Sequence, residues 1–382
     1  MIYLDHNATN PPDPRVLEAY RRGLELGWAN PSSQHAEGRR ARAMLEEARE
    51  QVAALFGVAP GQVTFTSSGT EALNQALWSV ARTGTAEGSA PRVLASAVEH
   101  PSVLEALDRL EAEGQLRGER VAVDDSARLR TDDLAERLQR GPRPALLALL
   151  AAQNEVGTLQ PLAEAGALAA AVEVPLLVDA TQAAGRVPWD WAAGPWDYLV
   201  VSGHKLRAPR GAAALVHRGR APEPRPLLLG GSQERGRRAG TEDVPAIVAL
   251  GAACALVARG ELTAPDELLA RREAFEAALA AAVPGLRVLA AAAPRLPQTS
   301  LVLVPGGDGE ALLAGLDLGG VAASTGSACA SGARTRSHVL AAMGIDEAAA
   351  RGRLRFSFGP ETTTEELARA AELLGALVAQ QR

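Results

Sequence analysis

Only two cysteines, Cys254 and Cys329, occur in 382 residues, too few for a disulfide framework or a four-thiolate zinc site within one chain. Long apolar runs are missing as well. The longest plain one, Ala145 to Ala152, falls far short of the roughly 20 residues a membrane helix needs. The N-terminus, Met1-Ile2-Tyr3-Leu4-Asp5, has neither the basic stretch nor the apolar core of a secretory signal, so the expected location is the cytoplasm. No broad basic field exists: 39 Lys and Arg against 45 Asp and Glu give a formal charge of -6, which argues against nucleic acid and anionic membrane as partners. Lysine itself is almost absent. Among the 39 basic side chains one is lysine, Lys205, and the rest are arginine. Arginine replaces lysine at most surface and ion-pair positions, but guanidinium stays protonated and cannot condense with an aldehyde, whereas an amine can. A chain that writes arginine everywhere else and keeps one lysine therefore raises Schiff-base chemistry at that position.

What is present reads as an ordinary globular composition, 47% apolar and 22% charged, in a chain longer than a single core. The three-and-four spacing of Ala41, Met44, Leu45, Ala48, Val52 and Leu55 predicts an amphipathic helix. Val63-Thr64-Phe65-Thr66 then predicts a strand, followed by Ser67-Ser68-Gly69-Thr70-Glu71 and a helix with Leu73, Ala76, Leu77 and Val80 on one face. Strand, small-residue turn and helix start form an anion site, because the free N–H groups and dipole of a helix N-terminus favour phosphate and Gly69 lets it approach. Further strands are predicted at 92–97, 145–150, 175–178, 198–201 and 212–216, with helical patterns between several of them.

The fold class expected is α/β: a large domain with a mainly parallel, helix-covered sheet, plus a smaller α+β C-terminal domain. The division predicted is an N-terminal segment, 1–15, packing with the small domain, a large domain over 16–250, and a small domain over 251–382 carrying the Cys329 loop. Ligands of such sheets bind beyond the carboxyl ends of the strands. There this sequence places Glu99-His100, Gln153-Asn154-Glu155, Asp179-Ala180-Thr181-Gln182 and Ser202-Gly203-His204-Lys205. Cys254, in an apolar stretch, reads as a small core residue, whereas Cys329, in Ser324-Thr325-Gly326-Ser327-Ala328-Cys329, lies among small turn-formers and is a candidate reactive thiol.

Pyridoxal 5′-phosphate (PLP) requires a lysine for its aldehyde, an acid against its pyridine nitrogen, a phosphate cup and a group over the ring. Lys205, Asp179, the Gly69 turn and His100 supply one of each type. No metal site is expected.

These motifs closely resemble those of the cysteine desulfurases of the class V aminotransferase family, PLP fold type I. The resemblance rests on Tyr3-Leu4-Asp5-His6-Asn7-Ala8-Thr9, Asn30-Pro31-Ser32-Ser33-Gln34-His35, Thr66-Ser67-Ser68-Gly69-Thr70-Glu71-Ala72-Leu73-Asn74, Gln153-Asn154-Glu155-Val156-Gly157, Val178-Asp179-Ala180-Thr181-Gln182, Ser202-Gly203-His204-Lys205 and Glu234-Arg235-Gly236-Arg237-Arg238-Ala239-Gly240-Thr241. It implies that Lys205 carries PLP, Asp179 pairs with the ring nitrogen, Gln182 and Asn154 approach the ring oxygen, and His100 stacks on the ring. The phosphate would meet Gly69, Thr70, Ser202 and His204, with Thr241 from a neighbouring subunit completing the cup, so a homodimer is implied. Arg355 matches the arginine that holds the substrate carboxylate, with Asn154 beside it. Cys329 matches the residue that receives sulfur from L-cysteine as a persulfide, leaving L-alanine, and hands it to an acceptor protein such as an iron–sulfur scaffold. Leu206-Arg207-Ala208-Pro209 after the lysine and Phe358-Gly359-Pro360 depart from the usual family pattern, though not at a position with a chemical role. Readings to be separated from this one are a selenocysteine lyase or other class V PLP enzyme, and a catalytically idle partner in sulfur trafficking.

Overall fold

The computed structural model describes residues 1–83, 90–326 and 337–380; Cys329 and the centre of its loop lie outside them. Among the described residues the strands are β1 (Ile2–Tyr3), β2 (Val63–Thr66), β3 (Arg92–Ser96), β4 (Arg117–Val121), β5 (Leu146–Leu150), β6 (Leu176–Asp179), β7 (Tyr198–Ser202), β8 (Ala213–His217), β9 (Arg287–Val288), β10 (Thr299–Leu303), β11 (Val321–Ala322) and β12 (Arg353–Ser357). Seven of them form one sheet in the order β2-β8-β7-β6-β5-β3-β4, parallel throughout except that β8 runs against both its neighbours.

The apolar runs of β5, β6 and β7 are continuous because both sheet faces are covered. Successive residues serve opposite layers. Leu147, Leu149, Val178, Leu199 and Val201 pack in one core with the helices Pro14–Leu26, Ala36–Phe56 and Val244–Ala258. Leu146, Ala148, Leu177, Tyr198 and Val200 pack in another with the helices Gly69–Ala81 and Pro101–Ala112. The edge strand β4, Arg-Gly-Glu-Arg-Val, was not expected from sequence, since only Val121 in it is buried.

The smaller body is an antiparallel sheet, β12-β10-β9, covered by the helices Pro265–Ala282, Gly309–Leu318 and Thr364–Gln380. Phe275 stands edge-on to Phe356 and Phe358 at ring separations of 5.3 and 6.5 Å in its core. Leu4 belongs to this core, and β1 pairs in parallel with β11. The position expected for the division, 250/251, falls inside the helix Val244–Ala258. Residues on both sides of it, Leu250, Cys254 and Leu256, belong to the large core, as does Leu262 beyond the helix. Gly251 makes the contact possible: a Cβ there would come within 2.6 Å of Ala48 Cα on the facing helix. Packing therefore changes hands between Leu262 and Leu268. Cys254 is fully buried, and burial pushes its thiol up to about 12.

Among the described residues, no helix is long and apolar enough to cross a membrane, and no group of three or more His, Cys, Asp or Glu is placed to hold a metal ion.

Candidate active site

A cavity of about 290 Å³ opens beyond the carboxyl ends of β2, β3, β5, β6 and β7. Gly69, Thr70, His100, Asn154, Asp179, Gln182, Ser202, His204, Lys205 and Arg355 all line it. Ten of the twelve expected site residues are thus brought together; Cys329 lies outside the described residues. Thr241 is exposed and is not among the residues around the cavity of its own chain.

The cavity's anion-binding end is built by the helix Gly69–Ala81. Ser68 caps it by accepting the Glu71 amide at 3.2 Å, so the first-turn amides of Gly69 and Thr70 are left for a ligand. A Cβ on Gly69 would reach 3.5 Å from Ser202 Cβ and from Thr181 Oγ1, filling part of the cradle without colliding.

Lys205 lies in the single turn Gly203–Leu206 that follows β7. Its Nζ donates to the main-chain oxygen of Ala8 at 2.7 Å and to that of Asn7. Burial, followed by the guanidinium groups of Arg186 and Arg355, brings this amine down to about 7, with Asp5 and Asp179 acting in the opposite sense. A neutral amine is therefore well populated near pH 7. His204, on the same turn, is lowered to about 4 by burial and then by Lys205, so it is an uncharged ring, with Nδ1 3.2 Å from Thr9 Oγ1.

Asp179 ends β6 and accepts the Thr181 amide on Oδ1 at 2.9 Å. His100 caps the helix Pro101–Ala112, its Nδ1 accepting the Ser102 amide at 3.1 Å. That bond leaves the proton of the neutral ring on Nε2. Burial holds His100 below its ordinary value in spite of Asp179. The neighbouring Glu99 is fully buried: Oε1 accepts the Leu150 amide at 2.9 Å, while Oε2 has no partner. Burial above all, with Asp179 adding to it, raises that carboxyl well above the usual range, toward the protonated form.

Arg355, on β12, reaches in from the smaller body at 2% exposure. It donates through Nη2 to Asp5 Oδ1 at 2.6 Å and through Nη1 to the main-chain oxygens of Asn154 and Gly326 at 3.0 and 3.1 Å. Its Nε is buried without a partner. Gln182 donates from Nε2 to the Asn7 carbonyl at 2.9 Å and accepts on Oε1 from Arg186. Sequence reasoning gave no role to Asp5, Asn7, Ala8, Thr181 or Arg186. The signal available was the polar run Asp5-His6-Asn7-Ala8-Thr9, in which His6 and Asn7 are 4% and 2% exposed although no periodic pattern marks them as buried.

A mainly parallel sheet whose strand ends gather a lone amine, a carboxylate and a helix N-terminus defines an enzyme site for a phosphorylated aldehyde cofactor, and residues 2–369 match the class-V aminotransferase model. The chain belongs to that family, whose members are PLP-dependent. A cysteine desulfurase of Trichormus azollae is 39% identical over 382 residues, covering all of this chain and 94% of the relative. A solved NifS-like protein superposes with a TM-score of 0.90 at 31% identity, covering 99% of both chains. SspA, solved in complex with cysteine, gives a TM-score of 0.81 at 28% identity, covering 95% of this chain and 100% of that one.

The residues present fit PLP. The Gly69 cradle, the depressed Lys205 amine and the buried, unpartnered Thr181 Oγ1 offer what a phosphate, an aldehyde and a polar cofactor would take up.

Proposed function

We propose that this chain is a PLP-dependent cysteine desulfurase that releases L-alanine from L-cysteine and takes the sulfur as a persulfide on Cys329. The observation that carries the reading is the amine of the only lysine, held in one cavity with Asp179 and the Gly69–Thr70 helix start. The full-length likeness to a cysteine desulfurase supports the reaction class.

When bound, PLP supplies an aldehyde for covalent linkage and an electron-withdrawing ring that stabilises negative charge at the substrate Cα. Lys205 would hold the cofactor, Asp179 would face its ring nitrogen, and the amides of Gly69 and Thr70 with Ser202 and His204 would take its phosphate. His100, uncharged, would cover the ring, with Asn154 and Gln182 at its oxygen. The neutral Nζ of Lys205 is the group suited to accept the Cα proton and return it. Arg355, buried and donating, suits the substrate carboxylate. In the net transfer the substrate C–S bond breaks and an S–S bond to Cys329 forms, and the two thiol hydrogens end on the alanine methyl group and the terminal persulfide sulfur. Sulfur and hydrogen balance without an added oxidant.

A homodimer in which Thr241 serves the partner's cavity, a cytoplasmic location, and onward transfer of sulfur to an acceptor such as an iron–sulfur scaffold belong to the same proposal. The test is the formation of alanine and of a mass increase of one sulfur atom at Cys329 on addition of L-cysteine to the PLP-loaded protein. Cys329→Ala is expected to lose the persulfide and at least about a hundredfold in sulfide release under reductant, the scale on which loss of an activated nucleophile is felt. Undiminished turnover of cysteine by Cys329→Ala overturns the assignment. Selenocysteine as sole competent substrate would redirect it.

A further inference from the structure

Burying a guanidinium is costly unless a carboxylate accompanies it. The protein observes this at Arg49, Arg92, Arg207, Arg272, Arg295 and Arg355, each buried and each with a carboxylate oxygen within 3.7 Å. Arg186, 5% exposed, is the exception among the buried arginines of the described residues. Its partners are neutral oxygens: Nη1 donates to Asn7 Oδ1 at 3.3 Å, to the Gln182 main-chain oxygen at 3.4 Å and to Gln182 Oε1, and Nη2 donates to the His6 carbonyl at 3.1 Å. Two of those residues face the catalytic amine. The Asn7 carbonyl receives both Lys205 Nζ and, at 2.9 Å, Gln182 Nε2.

We propose that Arg186 is a positioning residue for Lys205, clamping both Asn7, whose carbonyl receives the lysine amine, and Gln182, which donates to that same carbonyl, and setting an uncompensated positive charge near the amine. The clamp acts through orientation. With Oε1 of Gln182 taken by the guanidinium, its Nε2 is committed to the Asn7 carbonyl, and that carbonyl is held where Nζ finds it.

The charge acts on the amine. The groups facing Nζ are His204 from its own turn, His100 from the end of β3, Asp179 and Arg186 from the β6 end, Arg355 from β12 and Asp5 from the N-terminal segment. Both histidines are pushed toward the uncharged form, and the Arg355 cation is offset by Asp5 at 2.6 Å. Arg186 has no such offset. After burial it is the largest influence bringing the amine down to about 7.

The inference rests on Lys205 being the cofactor-bearing amine, and its test separates the two. The full-length chain, stripped of PLP, is pulse-labelled with acetic anhydride across a pH series, and acetylation of Lys205, unambiguous as the only lysine, is read by peptide mass spectrometry. Wild type is expected to show a midpoint near 7. Arg186→Gln, which keeps hydrogen-bond donors and removes the charge, is expected to raise the midpoint by about one unit, a roughly fivefold slower labelling at pH 7. Arg186→Met, which removes the charge and the donors together, is expected to raise the midpoint at least as far. A folded Arg186→Gln with an unmoved midpoint overturns the proposal, as does an ordinary lysine midpoint in wild type. Should Arg186→Gln prove unfolded by circular dichroism, Arg186→Met decides: a raised midpoint supports the proposal and an unmoved one overturns it. Because labelling is scored without cofactor, its failure leaves the PLP reading standing. Failure of that reading shows separately, as a chain that gains no cofactor absorbance on incubation with PLP.

Discussion

Lys205 and Glu99 are an amine and a carboxyl whose surroundings disfavour charge on both, and each makes its own pH prediction. For Lys205, protonation below about pH 7 removes the lone pair an aldehyde needs. The rate at which the cofactor-free chain captures PLP, followed by absorbance, is therefore expected to rise as pH increases from 6 to 8 and then level off. An ordinary lysine would continue rising toward pH 10. Glu99 affects stability. Its folded-state value is raised, so between the usual glutamate value and that raised value the folded chain holds a proton that the unfolded chain has released. The sign follows: this contribution favours folding at low pH and is lost as pH rises through that window. Glu99→Gln mimics the protonated form and removes the loss. Urea denaturation at pH 5 and pH 8 is expected to show a smaller drop in stability for Glu99→Gln than for wild type. An equal drop in both would show that Glu99 ionises freely.

At the scale of elements, the cofactor-binding end depends on one helix start. Gly69 has no positive φ to excuse it, and a Cβ there meets its neighbours at an ordinary 3.5 Å. Gly69→Ala is therefore expected to leave the melting temperature of the cofactor-free chain within a few degrees of wild type while weakening PLP retention at least tenfold, because the methyl group takes space in the cradle. A protein that loses both together would assign Gly69 to folding instead. Elements of this kind are legible in sequence for physical reasons. Strands β3, β5, β6 and β7 are buried on both faces and read as apolar runs, and Ser68-Gly69-Thr70 before an amphipathic pattern marks a helix start. The edge strand β4 is polar because solvent reaches it, and the helix Val244–Ala258 is apolar all round because other helices surround it, so neither reports its partners. Site residues whose chemistry is rare, Lys205 and Asp179, stand out at strand ends. Asn7 and Ala8 act through main-chain oxygens, which no residue type announces, and Arg186 is legible only once its missing carboxylate is seen in three dimensions.

Over the whole molecule, the N-terminal segment bridges two bodies that also meet directly, where Val98, Leu150 and Val156 pack against Leu289, Leu301 and Leu303. Leu4 packs in the smaller core, whereas Asp13 receives Arg207 of the larger body at 3.7 Å. Between them Asn7 holds both sides at once. Its main-chain amide donates to Ser357 Oγ at 2.9 Å and its Nδ2 to Thr299 Oγ1 at 2.9 Å, while its Nδ2 also donates to the Asn154 carbonyl at 3.2 Å and its own carbonyl receives Lys205 and Gln182. The geometry of the lysine amine therefore depends on the seating of one body against the other. Asn7→Ala keeps the carbonyl but removes the side-chain bonds that locate it, leaving buried partners unsatisfied at a cost of about 1 to 3 kcal/mol. Thermal unfolding and PLP capture are expected to shift in concert: a lower melting temperature and slower capture in the same variant, with Leu318→Ala, at a side chain 91% exposed, moving neither. If Asn7→Ala lowers the melting temperature but captures PLP at the wild-type rate, Lys205 is positioned within the larger body alone, and the segment is a structural strap with no part in the site.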